Sequence, residues 1–128
     1  MQQLGFDFMK AEHRIDAPTV LHVDLGKYSD AQIIICQNDD GSWRAGSDDH
    51  FQGYCGHGGS GNGSYPTFED ALSYRIRWLR KRWSSIAASK HDSCCSDSHK
   101  RMARVGLAWL DTLIADYALN IGEGLCDA

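Results

Sequence analysis

Short apolar segments alternate with turn-forming residues in the first half of the chain. From Thr19 to Leu25, apolar and polar positions alternate, which is typical of a strand with one buried face. The run 33–36, inside a predicted strand at 31–37, is apolar on both faces and mostly β-branched, which predicts the central strand of the sheet. Residues 38–41 then predict a tight turn, because Gly and Asn tolerate the positive φ that a hairpin needs.

Two further strands complete the predicted sheet. Trp43 and Ala45 share a face of a third strand, and the Gly, Ser and Asp residues at 46–49 predict a second turn. A fourth strand is predicted at 51–55. The pattern therefore predicts an antiparallel β-meander of three to four strands over residues 19–55.

The segments on either side of this sheet have a different character. Residues 1–18 are predicted to form an N-terminal arm, in which the alternating Leu4, Phe6 and Phe8 either add an edge strand or dock elsewhere. Residues 56–66 are predicted to form a flexible glycine-rich loop.

Helical periodicity begins after this loop. Thr67 suits an N-cap, and Asp70 occupies the acidic position of a capping box. Apolar residues then recur at three- and four-residue spacing to about Ala88, which predicts one long amphipathic helix. A polar link at 89–98 precedes a second predicted helix from about His99 to Asn120.

The second helix carries a wide apolar arc, which predicts either burial against both the sheet and the first helix or a homodimer interface. Gly122 suits the position after its end. The chain is therefore expected to form a single α+β domain over 1–128, with the two helices of 67–121 packed on one face of the sheet. The predicted core comprises Ile33, Ile35, Phe68, Leu72, Leu79, Trp83, Trp109 and Leu113.

Composition agrees with one globular domain. The chain has 128 residues, of which 42% are hydrophobic and 23% charged. No apolar run is long enough to span a bilayer and the chain start lacks the features of a signal peptide, so we expect a soluble cytoplasmic protein without a membrane partner. The odd number of cysteines, 5, argues against a disulfide framework.

Motifs for catalysis or cofactor binding are incomplete. Gly56, Gly58 and Gly61 match G-x-G-x-x-G, but a dinucleotide site needs a helix directly after the glycines and a parallel sheet before them. No G-x-S-x-G elbow accompanies the His57-Gly58-Gly59 segment. We therefore predict a protein that is not an enzyme and that has no cofactor.

Several cysteines and histidines have the ligand types that zinc takes, but not the spacing of a standard zinc finger. A Cys–His nucleophile pair among them would lack a third, orienting group. We therefore predict no bound metal at Cys55, His57, Cys94, Cys95 and His99.

The first helix carries the strongest candidate for a partner-binding surface. Tyr74, Trp78 and Arg82 lie in one row of the helical wheel, flanked by Arg75 and Lys81. The row has three interpretations: an extension of the core face with arginines reaching into water, a protein interface, or a nucleic-acid site in which aromatic rings stack on bases.

Acidic residues form a second candidate. Net charge is −4, yet the acidic pairs lie in the first half of the chain and the helix region 75–82 is basic. The aspartates suit turns, and two adjacent acidic hairpin tips would also face a basic protein. The residues concerned are Asp39, Asp40, Asp48 and Asp49.

Three segments, 40–46, 57–61 and 66–72, together with the start at 3–8, resemble a small sheet-plus-helix module of plasmid and phage accessory proteins. The resemblance implies a mobile-element origin. Small, acidic, non-enzymatic proteins of that origin include anti-CRISPR proteins, so our leading hypothesis is an anti-CRISPR-like protein that inhibits a host protein or ribonucleoprotein complex. The alternative is a nucleic-acid-binding accessory protein that uses the basic, aromatic helix region 74–82.

Overall fold

The computed structural model describes residues 17–51, 54–57, 62–88 and 97–121. Most of the predicted N-terminal arm, the centre of the glycine-rich loop and Gly122 lie outside the described residues. The strands are β1 (Thr19–Gly26), β2 (Ser29–Gln37), β3 (Trp43–Phe51), β4 (Tyr54–His57) and β5 (Asn62–Tyr65), and the helices are α1 (Phe68–Ala87) and α2 (Asp97–Asp116).

The strands form one antiparallel sheet that precedes both helices, which confirms the predicted α+β fold. Strands β1, β2 and β3 pair in chain order. The second edge of β3 is shared, because β4 pairs with its half at 48–51 and β5 pairs with Trp43 and Ala45. Strand β3 is therefore paired along both edges.

The predicted turn at 46–49 is wrong, because β3 runs without a break from Trp43 to Phe51. In its register with β2, Ser47 lies opposite Ile33 and Asp49 opposite Ala31. Pairing on both edges outweighs the low strand propensity of Gly and Asp, since strand preference depends on neighbouring strands more than on the backbone itself. The end of the predicted glycine-rich loop is likewise a strand, β5.

Alternate residues of the sheet face the helices. In β2, Ala31, Ile33 and Ile35 are buried while the alternate residues Gln32 and Ile34 lie on the opposite face. Six of the eight predicted core residues are buried, and Phe68 and Trp109 are partly buried against the same core. The prediction that both helices cover one face is therefore confirmed.

Helix α1 begins as its sequence predicts. The Thr67 hydroxyl accepts a hydrogen bond from the Asp70 backbone N–H at 3.0 Å, so Thr67 is the N-cap. Helix α2 begins at Asp97, two positions before the predicted start at His99. It approaches α1 closely at Gly106, where an added Cβ would lie 2.7 Å from the Trp83 ring.

The wide apolar arc of α2 is accounted for by packing against the core. Its exposed large hydrophobic side chain is Val105, at 41% exposure. No helix in the described residues is both long and apolar enough to cross a membrane. The other exposed large hydrophobics of the described chain are Val20, Tyr28, Tyr74 and Trp78.

Candidate interaction surface on the first helix

Three aromatic side chains form a continuous surface where α1 meets β5. Tyr74 and Trp78 are one helical turn apart and are 37% and 43% exposed. The Tyr65 ring of β5 stacks on the Tyr74 ring, with 5.3 Å between centroids and 30° between planes. These three residues, with Arg75 beneath them, are called the aromatic ridge.

Arg75 lies almost entirely inside the protein, with 8% of its surface exposed. Its Nη2 donates to the Ala45 carbonyl oxygen at 3.2 Å. The guanidinium carbon lies 4.6 Å from the Trp78 ring centroid and 5.8 Å from the Tyr74 centroid, within the range of cation–π attraction. The buried Nε has no hydrogen-bond partner among the residues that the structure describes.

Burial shifts the pKa values of two residues of the ridge, Arg75 and Tyr65. It lowers the pKa of Arg75, because desolvation disfavours the charged form, and the neighbouring Tyr74 and Tyr65 oppose this shift. Burial also raises the pKa of Tyr65, with a further contribution from Tyr74 in the same direction. Both directions follow from an incompletely hydrated cluster.

Arg82, next in the predicted row, is instead part of an internal ion pair. Its Nε and Nη2 donate to the two carboxylate oxygens of Asp49 at 2.8 and 3.0 Å. The Trp83 indole N–H donates to the same carboxylate at 2.7 Å. Because Asp49 is only 4% exposed, this bidentate pair joins α1 to β3 inside the protein.

The four predicted acidic residues do not form two neighbouring tips. Asp48 and Asp49 lie within β3 and point to opposite faces of the sheet. On the face away from the helices, the Gln32 side-chain amide donates to Asp48 at 3.3 Å. Only Asp39 and Asp40 lie at a hairpin tip, so the predicted paired arrangement is wrong.

Hydrogen bonds within residues 38–42 stabilise the hairpin turn between β2 and β3. The Asp40 carboxylate accepts hydrogen bonds from the Ser42 N–H at 2.9 Å and the Ser42 hydroxyl at 2.6 Å. These bonds, the hydroxyl bond first, lower the pKa of Asp40. Asn38 ties the tip to β5 by donating to the Gly63 carbonyl at 3.1 Å.

The basic character of α1 is reduced by these contacts. Arg82 pairs with Asp49, and Arg80 donates to Asp111 at 3.1 Å. Arg75 is buried, whereas Lys81 is exposed on the helix surface. The basic run in the sequence is therefore partly neutralised.

Sequence reasoning missed two members of this region. Tyr65 falls in the predicted loop, and no local signal marks it as the stacking partner of Tyr74. Asp49 was assigned to a turn, although the alternation of Ala45, Ser47 and Phe51 on either side of it fits a strand with a core-facing side.

The metal prediction stays a prediction. Cys94, Cys95 and the side chains of Cys55 and His57 lie outside the described part of the structure. Within the described residues, no group of three or more His, Cys, Asp or Glu side chains could hold a metal ion. The His99 ring packs beside Phe51, with 6.3 Å between centroids.

Comparison with known proteins found no family model, curated protein or solved structure that matches this chain.

Proposed function

We propose that this is a non-enzymatic binding protein of mobile-element origin that inhibits a host protein or ribonucleoprotein complex by occupying its surface, as anti-CRISPR proteins do. The aromatic ridge is the proposed contact surface. The observation that carries this proposal is the clustering of exposed Tyr74 and Trp78 with the stacked Tyr65. Exposed aromatic anchors held in fixed positions are typical of interface hot spots.

The ridge fits a protein partner better than a nucleic acid. A nucleic-acid site needs accessible cations that replace the counterions of several phosphates. Here Arg75 is buried and Arg82 is bound to Asp49, so two of the cations nearest to Trp78 are engaged inside the protein. Aromatic area rather than accessible charge therefore dominates this surface.

The test begins by identifying the partner from lysate of a host with immobilised wild-type protein and mass spectrometry, followed by binding measurements with the purified partner. Trp78→Ala is expected to weaken binding by about 2 kcal/mol or more, mainly through faster dissociation. Tyr28→Asn is the matched control, since it removes an aromatic side chain that is 75% exposed but lies in the β1–β2 turn. Asn also tolerates the positive φ of 55° at this position.

Folding must be checked before binding is interpreted. The circular dichroism spectrum of Trp78→Ala should match that of the wild type, and the variant should melt cooperatively and well above the temperature of the binding measurement. A folded Trp78→Ala protein that binds at full strength would remove the ridge from the interface. Lys81→Glu is expected to slow association only, because exposed charges act mainly on the encounter rate.

Salt dependence separates this proposal from the alternative of nucleic-acid binding by 74–82. Phosphate binding weakens steeply with salt concentration, in proportion to the number of contacts. The proposed protein interface should depend weakly on salt. A steep slope with an oligonucleotide, together with loss of binding in Lys81→Glu, would favour the alternative.

A further inference from the structure

Within the described residues, Arg75 differs from Arg80 and Arg82 of α1 in having no acidic partner. Arg80 and Arg82 each contact a carboxylate, whereas no carboxylate contacts Arg75 within the described residues. The only hydrogen bond of its guanidinium there goes to the Ala45 carbonyl. Its Nε donor is buried and has no partner in the described part of the chain.

Such an arrangement is costly in an isolated protein. A guanidinium is always charged and offers five N–H donors, and burial without a counter-charge is unfavourable. The Trp78 and Tyr74 rings replace part of the lost hydration, but they accept no strong hydrogen bond from Nε. The chemical group that is lacking is a carboxylate, which accepts two parallel N–H bonds from arginine.

We infer that Arg75 binds a carboxylate side chain of the protein partner, while the rings of Tyr74 and Trp78 pack against the apolar part of that side chain. This inference rests on the proposed function, since it names the chemistry of the partner at the aromatic ridge. Trp78 covers the guanidinium and is 43% exposed, so rotation of its side chain gives a carboxylate access to Arg75.

A carboxylate fits this site better than a phosphate chain. One guanidinium within an aromatic surface matches one planar acid, whereas a nucleic-acid backbone needs a series of accessible cations. The adjacent Arg82 already shows the bidentate geometry, because it binds the Asp49 carboxylate through Nε and Nη2. The partner is therefore expected to present an acidic residue at the centre of its contact surface.

The test uses nuclear magnetic resonance of the full chain labelled with ¹⁵N. The probes are N-acetylglutamate α-amide, which carries a free side-chain carboxylate, and N-acetylglutamine amide, its neutral counterpart, at constant ionic strength. The glutamate probe is expected to shift the Arg75 Nε–H and Trp78 indole N–H signals and to bind about tenfold more tightly than the glutamine probe.

Variants assign the effect to Arg75. Arg75→Lys should lose the Trp78 shift, because lysine cannot form the bidentate pair. Arg104→Lys is the matched control, since it changes an exposed arginine of α2, and it should keep the shift. If Arg75→Lys unfolds, the two probes compared on the wild type decide the question.

Two results would overturn the inference. One is equal binding of the glutamate and glutamine probes, and the other is a short oligothymidylate that shifts both signals at lower concentration than the glutamate probe. These experiments need no partner, so a negative result rejects the carboxylate site at Arg75 without rejecting the proposed function. That function is tested by binding of the purified partner to Trp78→Ala.

Discussion

Arg75 and Arg82 lie two helical turns apart on α1, and their guanidinium carbons are 4.6 and 6.0 Å from the same Trp78 ring. The Asp49 carboxylate accepts two hydrogen bonds from one edge of the Arg82 guanidinium, formed by Nε and Nη2, and it also accepts the Trp83 indole N–H. Among the described residues, the Arg75 guanidinium hydrogen-bonds only to the Ala45 carbonyl. Two arginines in similar positions therefore have opposite electrostatic environments.

This difference indicates that Arg75 and Arg82 have separate roles on α1. The Arg82 charge is paired with Asp49 within the protein. Replacing Arg82 should therefore mainly lower the free energy of unfolding. The Arg75 charge is buried and incompletely hydrogen-bonded. Replacing Arg75 should therefore change the free energy of unfolding little and mainly weaken binding of the partner. We expect this separation of roles to appear in the stability of single-residue variants.

Asp49→Ala should lower the free energy of unfolding by about 3–5 kcal/mol, because it leaves the partly buried Arg82 guanidinium and the buried Trp83 indole N–H without their acceptor. Urea denaturation measures the loss. Asp48→Ala is the matched control, since the neighbouring side chain points to the opposite face of the sheet, and it should cost about 1 kcal/mol or less. Equal losses in the two variants would contradict the internal role of Asp49.

Arg82→Met should cost about 3 kcal/mol, because it leaves the Asp49 carboxylate buried with one remaining donor, the Trp83 indole. Arg75→Met should leave the free energy of unfolding within about 1 kcal/mol of the wild type or raise it, since it replaces an incompletely satisfied charge by an apolar chain of similar length. Denaturation of the two variants under identical conditions checks the contrast. A large loss in Arg75→Met would mean that its charge is satisfied internally.

The two tryptophans of α1, one exposed and one in the core, should differ in the same sense. Trp78→Ala should cost about 1 kcal/mol, because the ring is 43% exposed and its removal also rehydrates Arg75. Trp83→Ala, at a fully buried position packed against Gly106, should cost at least about 3 kcal/mol. Thermal melting of both variants measures the difference, and a strongly destabilised Trp78→Ala would assign Trp78 to the core.

The smallest effect is expected at Asp40, the exposed counterpart of buried Asp49. Its folded-state pKa lies below the ordinary value of 3.8, so its contribution to stability is present above pH 3.8 and is lost as the pH falls through the lower, folded-state pKa. Ser42→Ala removes both the hydroxyl donor and this part of the acid dependence. The free energy of unfolding, measured from pH 5 downward in the wild type and in Ser42→Ala, checks this prediction. Identical pH dependences of the two proteins would contradict the role of the Ser42 hydroxyl.

Local signals in the sequence predicted the order of the elements and much of the core. The periodicity of Leu72, Leu79 and Trp83 identified the buried face of α1, and Thr67 identified its start. Alternation identified the core-facing side of β1, and the β-branched run identified β2 as an interior strand. These features depend on residues close in sequence, for which spacing is sufficient information.

The candidate site was predicted only in part. The sequence placed Tyr74 and Trp78 on one exposed row of α1, and the structure agrees. It could not add Tyr65, because stacking on Tyr74 depends on the pairing of β5 with β3. The sequence also could not show that Arg82 is paired within the protein, because its partner Asp49 lies on a strand distant in sequence.

The sequence by itself therefore determined an antiparallel sheet followed by two amphipathic helices, since hydrophobic period and capping are local properties. Only the tertiary structure decided that 46–49 continues as strand β3, because pairing on both edges of that strand outweighs its turn-like composition. It likewise decided the different roles of Arg75 and Arg82. A charge is neutralised by whatever group lies within a few ångströms, and Asp49 reaches Arg82 but not Arg75 only after sheet and helix have packed.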